Sequence, residues 1–215
     1  MAVVSAHGLA RQLNRLLPRV LPAPGRSRPA ANDRILDAAL VRFAESGVGG
    51  TTMAQLARDS GISREWLYRH FRNRDEIAIA VARREVERLI DGLAENVDAN
   101  ADLVATVADA FSFAVEFVRD HELLQQVIRN EPERFIALLQ DDGGVVLATA
   151  VDVSVVYLRA ISSLTNKQAV VIAETLVRLV VALTVAPNGR LDLGAPAELR
   201  RFARAVVAPL LAGAS

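Results

Sequence analysis

From residue 32 onward, apolar residues recur at helical spacing. Ile35, Leu36, Ala39, Leu40 and Phe43 fall at i, i+1, i+4, i+5 and i+8, one amphipathic stripe. Asn32 is placed to cap its start and Gly47 to stop it. Thr52 and Gln55 have the spacing of a capping box, opening a short helix with Leu56 and Ala57 inward. Ser60 and Gly61 break that helix. Ser63 then caps a third, with Ile62 and Leu67 as its hydrophobic staple. Asn73 and Glu76 make one more cap-like pair, opening a long helix with Ile77, Val81, Leu89, Ile90 and Leu93 on its stripe. Further helices are expected near 101–118, 121–129, 132–140, 144–164, 167–186 and 196–211. No segment alternates with period two between turn signals, although 144–158 is rich in Val. The pattern predicts an all-α fold of about nine helices.

Residues 1–30 stand apart, with five Arg, no acid, and Pro at 18, 22, 24 and 29. They read as a flexible arm outside the folded body. Leu9, Leu13, Leu16, Leu17 and Val20 could share one side of a short helix weakened by Pro18. A disordered tail, a minor-groove or phosphate contact and an anionic-membrane contact are all open to such an arm.

Charge sharpens the division. Residues 1–77 hold 12 Arg and 7 acids, a balance of +5, and the remainder 12 Arg, one Lys and 18 acids, a balance of −5. A polyanion is the natural partner of the first part only. With 52% hydrophobic residues the chain has the material for a core. The longest run without Asp, Glu, Lys or Arg is 12 residues, Ser46 to Ala57, so no membrane span is expected. The first charges follow the apolar start, so a secretory signal is not expected either. The chain has no Cys, which removes disulfides, thiolate metal sites and cysteine nucleophiles and suits a reducing, cytoplasmic setting. His7, His70 and His121 are far apart in sequence and form no metal-binding spacing. The Gly pairs at 49–50 and 143–144 lack the Gly-Lys-Ser/Thr ending of a phosphate loop. No enzymatic activity, cofactor or metal is expected.

Three short capped helices joined by tight turns make a helix-turn-helix arrangement, whose third helix enters the major groove. The decisive segment is TTMAQLARDSGISREWLYRHFRNRDEI, residues 51–77. Ile62, Leu67 and Phe71 turn to the core, which leaves Arg64, Glu65, Tyr68 and Arg69 outward. Arg64 and Arg69 suit guanine and Glu65 a cytosine amino group. Tyr68, His70 and Arg74 suit phosphate oxygens, as does Thr52 while it caps its own helix.

These residues carry a resemblance. Residues 31–77 resemble the DNA-binding domain of the TetR family of transcriptional regulators: an apolar first helix, TT before the second, then GISxxxLYxHF and RDEI. By position the resemblance implies phosphate contacts at Thr52, Tyr68, His70 and Arg74. It implies groove-facing or base-reading roles at Arg64, Glu65, Trp66 and Arg69. Glu65 departs from the small residue or Pro common there, and Trp66 from Thr or Ser. Trp66 either packs on a thymine methyl or tucks against the scaffold.

The family layout implies that residues 78–215 form an effector-binding and dimerisation domain. Its candidate pocket lining is Phe111, Val115, Val118, Leu124, Ile128, Phe135, Leu139 and Tyr157, which suits a small, largely apolar effector. The wide stripes of the last two helices, with Leu176, Val180, Leu183, Phe202, Val206 and Leu210, point to a homodimer through a four-helix bundle. A dimer favours a palindromic double-stranded operator. The expected protein is a sequence-specific regulator, a repressor released by its ligand, with no membrane partner. The alternative is an Arg-armed helical protein that binds an anionic membrane or a protein partner. A regulator without a pocket is a third reading.

Overall fold

The computed structural model describes residues 29–95, 102–130, 132–187 and 189–213. Among them there are nine α-helices and no strand: α1 (Pro29–Ser46), α2 (Met53–Ser60), α3 (Arg64–His70), α4 (Arg74–Glu95), α5 (Leu103–Asp120), α6 (Glu122–Asn130), α7 (Pro132–Ile161), α8 (Asn166–Val185) and α9 (Pro196–Ala212). The all-α expectation is met. The expectations for residues 1–28 lie outside the described residues.

Side-chain caps set the starts of α2, α3 and α4. Thr52 and Gln55 form the reciprocal box, Gln55 N donating to Thr52 Oγ1 at 3.3 Å and Thr52 N to Gln55 Oε1 at 2.8 Å. Ser63 Oγ accepts from Trp66 N at 3.2 Å, and Asn73 Oδ1 from Glu76 N at 2.9 Å. Gly61 closes α2 at φ 65°, a left-handed conformation that a Cβ would strain.

Two expectations are corrected. Asn32 is not a cap, because α1 already begins at Pro29, whose fixed φ and missing N–H suit a helix start. Helices expected at 132–140 and 144–164 are one helix, α7, of 30 residues; the Gly pair lowers helix propensity there without ending it. By length and composition alone α8 is apolar enough to cross a membrane, a test that a buried core helix also passes, and its Ala169, Ile172, Ala173 and Leu176 lie in the core of the second unit. Glu174 and Arg178 interrupt its uncharged run. Arg178 donates to Glu174 one turn away, at 2.7 and 3.0 Å.

The chain divides into two compact units. The first takes the described residues up to Glu87 together with those from His121 to Ala137. Its core joins Ile35, Leu36, Ala39 and Phe43 of α1, Leu56 and Ala57 of α2, Leu67 of α3, Phe71, and Ile77, Ala80 and Val81 of α4. Leu123 of α6 packs on its edge. The second takes residues from Arg88 to Asp120 and from Leu138 onward. Its core joins Val107, Ala108, Phe111 and Val115 of α5, Val151, Val155 and Leu158 of α7, Ala169, Ile172, Ala173 and Leu176 of α8, and Leu199, Ala203, Val207 and Leu211 of α9. Arg119 anchors the loop before α9 by donating to Leu193 O at 2.7 Å. The period of three to four that marked these stripes is what buries them.

Candidate nucleic-acid interface

The first unit holds α3 from beneath and leaves its other side open. Leu67 is fully buried and Phe71 nearly so, which fixes the roll of the helix. Arg64, Glu65, Tyr68 and Arg69 are therefore exposed, Tyr68 at 55%. The N-terminal turn, the part that reaches base edges in a major-groove docking, carries Arg64 and Glu65. Arg64 also lines an open cleft of about 370 Å³ shared with Ala54, Gln55, Ala57, Arg58 and Ile62 of the α2–turn–α3 segment.

The outward residues are not equivalent. Arg69 Nη2 donates to Glu65 Oε1 at 2.6 Å, an i, i+4 pair with both side chains mostly exposed. The Arg69 guanidinium thus already has an acidic partner within the helix. Trp66 is half-buried, packs on the unit's core and stacks on His70, with ring centroids 3.7 Å apart and planes 19° apart. That places the indole against the scaffold. His70 Nδ1 lies 2.8 Å from Trp66 O; a carbonyl only accepts, so Nδ1 carries the proton and Nε2 is the neutral ring's acceptor. A phosphate contact from Nε2 therefore requires the protonated imidazole.

Thr52 is exposed at the start of α2, but its hydroxyl donates to Gln55 Oε1 at 2.7 Å. To reach a phosphate it must exchange that partner. Arg74 Nη1 donates to Gly49 O at 2.7 Å and Thr51 O at 3.2 Å. It ties the start of α4 to the turn before α2, a positioning role the sequence did not signal, because the partners are backbone carbonyls more than 20 residues away. Two further ties leave no local signal in the sequence for the same reason. Arg42 of α1 donates from Nε and Nη2 to Asp59 Oδ2 of α2 at 3.0 and 2.7 Å. This contact holds the Asp59 carboxyl below its ordinary range. Arg84 Nη1 of α4 donates to Asp37 Oδ1 of α1 at 2.7 Å.

Beside Arg84, Glu85 is buried, and its Oε2 lies 3.3 Å from His121 Nε2. His121 Nδ1 accepts from Leu124 N at 3.3 Å, so it caps α6 while facing α4. Asp37, Arg84, Glu85 and His121 form a polar chain through α1, α4 and the start of α6, all within the first unit.

In the second unit Phe111, Val115 and Tyr157 are buried and Val118 half-buried. Leu124 and Ile128 are half-buried on α6 of the first unit. The side chains of Phe135 and Leu139 lie outside the described residues. Leu176 is buried, while Val180, Leu183, Phe202, Val206 and Leu210 are partly buried against their own unit's core. Val170, Val171 and Val185 of α8 are exposed, at 37%, 59% and 40%. Among the described residues no group of three or more His, Cys, Asp or Glu is arranged to hold a metal ion.

The profile of the family described as bacterial regulatory proteins, tetR family, matches residues 35–81. The chain is 26% identical over 190 residues to the HTH-type transcriptional regulator AlkX of Mycobacterium tuberculosis, covering 85% of this chain and 87% of that protein. It is 28% identical over 101 residues to IcaR of Staphylococcus epidermidis, the negative transcriptional regulator of the biofilm operon icaADBC. That match covers 47% of this chain and 55% of the other. Among solved structures, the TetR family repressor AlkX from Dietzia aligns with a TM-score of 0.60 at 20% identity, covering 84% of this chain and 97% of that one. FadR from Bacillus halodurans, a fatty acid degradation regulator, aligns with a TM-score of 0.54 at 18% identity, covering 86% and 97%. The two structural likenesses concern the fold.

Proposed function

Since the chain belongs to the TetR family of bacterial regulatory proteins, we propose that it is a transcriptional regulator that reads DNA with the exposed side of α3. The observation that carries this reading is the fixed roll of α3: Leu67 and Phe71 inward, Arg64, Tyr68 and Arg69 outward on a short, capped helix. Regulators of this family bind DNA and act as dimers, and the named relatives are transcriptional regulators. The Arg-armed membrane or partner binder is not favoured.

The finer reading is a repressor. Residues 31–77 form the reading head and residues 78–215 the effector-binding and dimerisation part. Arg64, Tyr68 and Arg69 meet base edges or nearby phosphates. Thr52, His70 and Arg74 serve the backbone, Arg74 by holding the turn, and Glu65 and Trp66 set how their neighbours on α3 are presented. Two copies join through α8 and α9, which places two reading heads on a palindromic operator. A small, largely apolar effector enters beside Phe111, Val115, Val118 and Tyr157. It must bind the DNA-incompetent arrangement more tightly than the competent one, since only that difference shifts the equilibrium. The helix α4, unbroken from Arg74 to Glu95, carries the change. The setting is the cytoplasm.

Selection of binding sites from a random double-stranded library tests the reading. Enrichment of one inverted repeat supports a dimeric, sequence-reading protein. Enrichment of no motif, with retention of all sequences alike, contradicts it.

A further inference from the structure

Trp66 and His70 sit one turn apart on α3, and their rings stack with centroids 3.7 Å apart and planes at 19°. His70 Nδ1 donates to Trp66 O at 2.8 Å. Turning the imidazole over about its bond to Cβ would put a carbon where Nδ1 stands and lose that bond. The carbonyl therefore decides which edge of the ring faces away, and the indole decides its plane. Nε2 is on the edge left over. Among the described residues no protein group meets it, and the half-buried ring leaves it open to solvent.

The charges of the neighbouring elements are engaged with one another. On α3, Glu65 pairs with Arg69, and Arg64 stands at the far end of the helix. Between α3 and α4, Arg72 N donates to Glu76 Oε2 at 2.8 Å. At the start of α4, Asp75 lies 4.0 Å from Arg74, which is itself held on the carbonyls of Gly49 and Thr51. On α2, Asp59 takes Arg42 of α1 and its own neighbour Arg58. Among the described residues no carboxylate forms an ion pair with His70, so the protein supplies no anion to a charged imidazole there.

Phosphodiester oxygens accept hydrogen bonds and do not donate them. A neutral imidazole with its proton on Nδ1 also only accepts at Nε2. The two can bond only when the ring takes up a second proton. An indole face attracts a cation through the ring quadrupole, and a phosphate attracts it by opposite charge. Histidine is the side chain that ordinarily changes charge between about pH 5 and 8.

We propose that α3 binds DNA with uptake of a proton at His70, one for each reading head, and that Trp66 is the positioning residue of this contact. Its carbonyl fixes the tautomer, and its indole steadies the imidazolium against a backbone phosphate. This rests on the reading of α3 as the DNA-contacting helix, and adds a charge state to it. Affinity for DNA then falls as pH rises, by up to about tenfold per unit for each head.

The test is fluorescence anisotropy of the full chain on a duplex carrying the selected inverted repeat and on a shuffled duplex, from about pH 6 to about pH 8 at constant ionic strength. Affinity of the unaltered chain for the repeat is expected to fall at least about tenfold across that range. His70→Gln, whose amide donates without charge, is expected to flatten the profile to within about twofold. Trp66→Ala is expected to weaken binding several-fold at the acid end and little at the alkaline end, and Trp66→Phe, which keeps a ring to stack, to restore most of the loss. Circular dichroism shows whether Trp66→Ala folds; His70→Gln changes a half-buried ring and tests the proton uptake on its own. A flat profile in the unaltered chain, an affinity that rises with pH, or a fall that His70→Gln leaves in place would overturn the proton uptake and leave α3 reading DNA. Equal loss at every pH in Trp66→Ala would overturn the role of Trp66. Binding to neither duplex at any pH would overturn the DNA-contacting role of α3 and the proton uptake together.

Discussion

At the scale of single residues, the exposed side of α3 divides free groups from engaged ones. Arg64 stands at the helix start, whereas Arg69 is held by Glu65. Arg64→Ala is expected to cost about 1–3 kcal/mol of operator affinity and to relax discrimination at one base position, with thermal stability unchanged. Glu65→Ala releases Arg69 and removes an acid from the interface. Binding to unrelated DNA is expected to strengthen, and the salt dependence to steepen by about one phosphate contact. Anisotropy titrations at several salt concentrations check both. Gly92 acts by packing alone: a Cβ there would run into the Phe113 ring. Gly92→Ala is expected to destabilise by about 1–3 kcal/mol, and a smaller residue at Phe113 in the same chain to recover part of it. Paired denaturant unfolding measures the recovery.

At the scale of elements, legibility followed range. Thr52 with Gln55, Ser63 with Trp66 N, and Asn73 with Glu76 are contacts over three residues, and composition at that spacing reveals them. The roll of α3 was legible for the same reason, through Ile62, Leu67 and Phe71. The ties that set helix against helix were not. Arg42 to Asp59, Arg74 to Gly49 O, Arg84 to Asp37 and Glu85 to His121 join residues far apart in sequence. Nothing local distinguishes those charges from surface ones. The join of two expected helices into α7 was hidden by a Gly pair that reads as a turn. His121 illustrates the cost of this blindness. In sequence it is one of three scattered histidines without ligand spacing, yet it caps α6 and faces a buried carboxyl of α4. His121→Ala removes the acceptor for Leu124 N and a partner of Glu85. A loss of about 1–3 kcal/mol in folding stability is expected.

At the scale of the whole molecule, charge and burial set how stability answers to pH. Asp59 has a depressed carboxyl, so the stability from its contact with Arg42 is present above the unfolded carboxylate range. It is lost as pH falls through the depressed folded value. That pair is exposed, so the loss is small. Tyr157 acts at the other end. Its phenol is raised from the ordinary 10.0, so the unfolded chain ionises first. The contribution is complete below about pH 10 and declines above it, by up to about 1.4 kcal/mol per pH unit. Tyr157→Phe is expected to remove that alkaline component, as read from thermal midpoints between pH 9 and 11.

The balance of +5 in residues 1–77 against −5 in the rest agrees with a protein that offers one part to DNA. The most direct measurement of that claim is fluorescence anisotropy on DNA from the protein's own upstream intergenic region and on the same bases shuffled, across a salt series. The account expects preference for the native fragment by about a hundredfold or more, and a log–log slope of about −5 to −7, as six to eight phosphate contacts require. Equal, weak binding to both fragments, with Arg64→Ala binding no more weakly than the unaltered chain, would contradict sequence reading by α3.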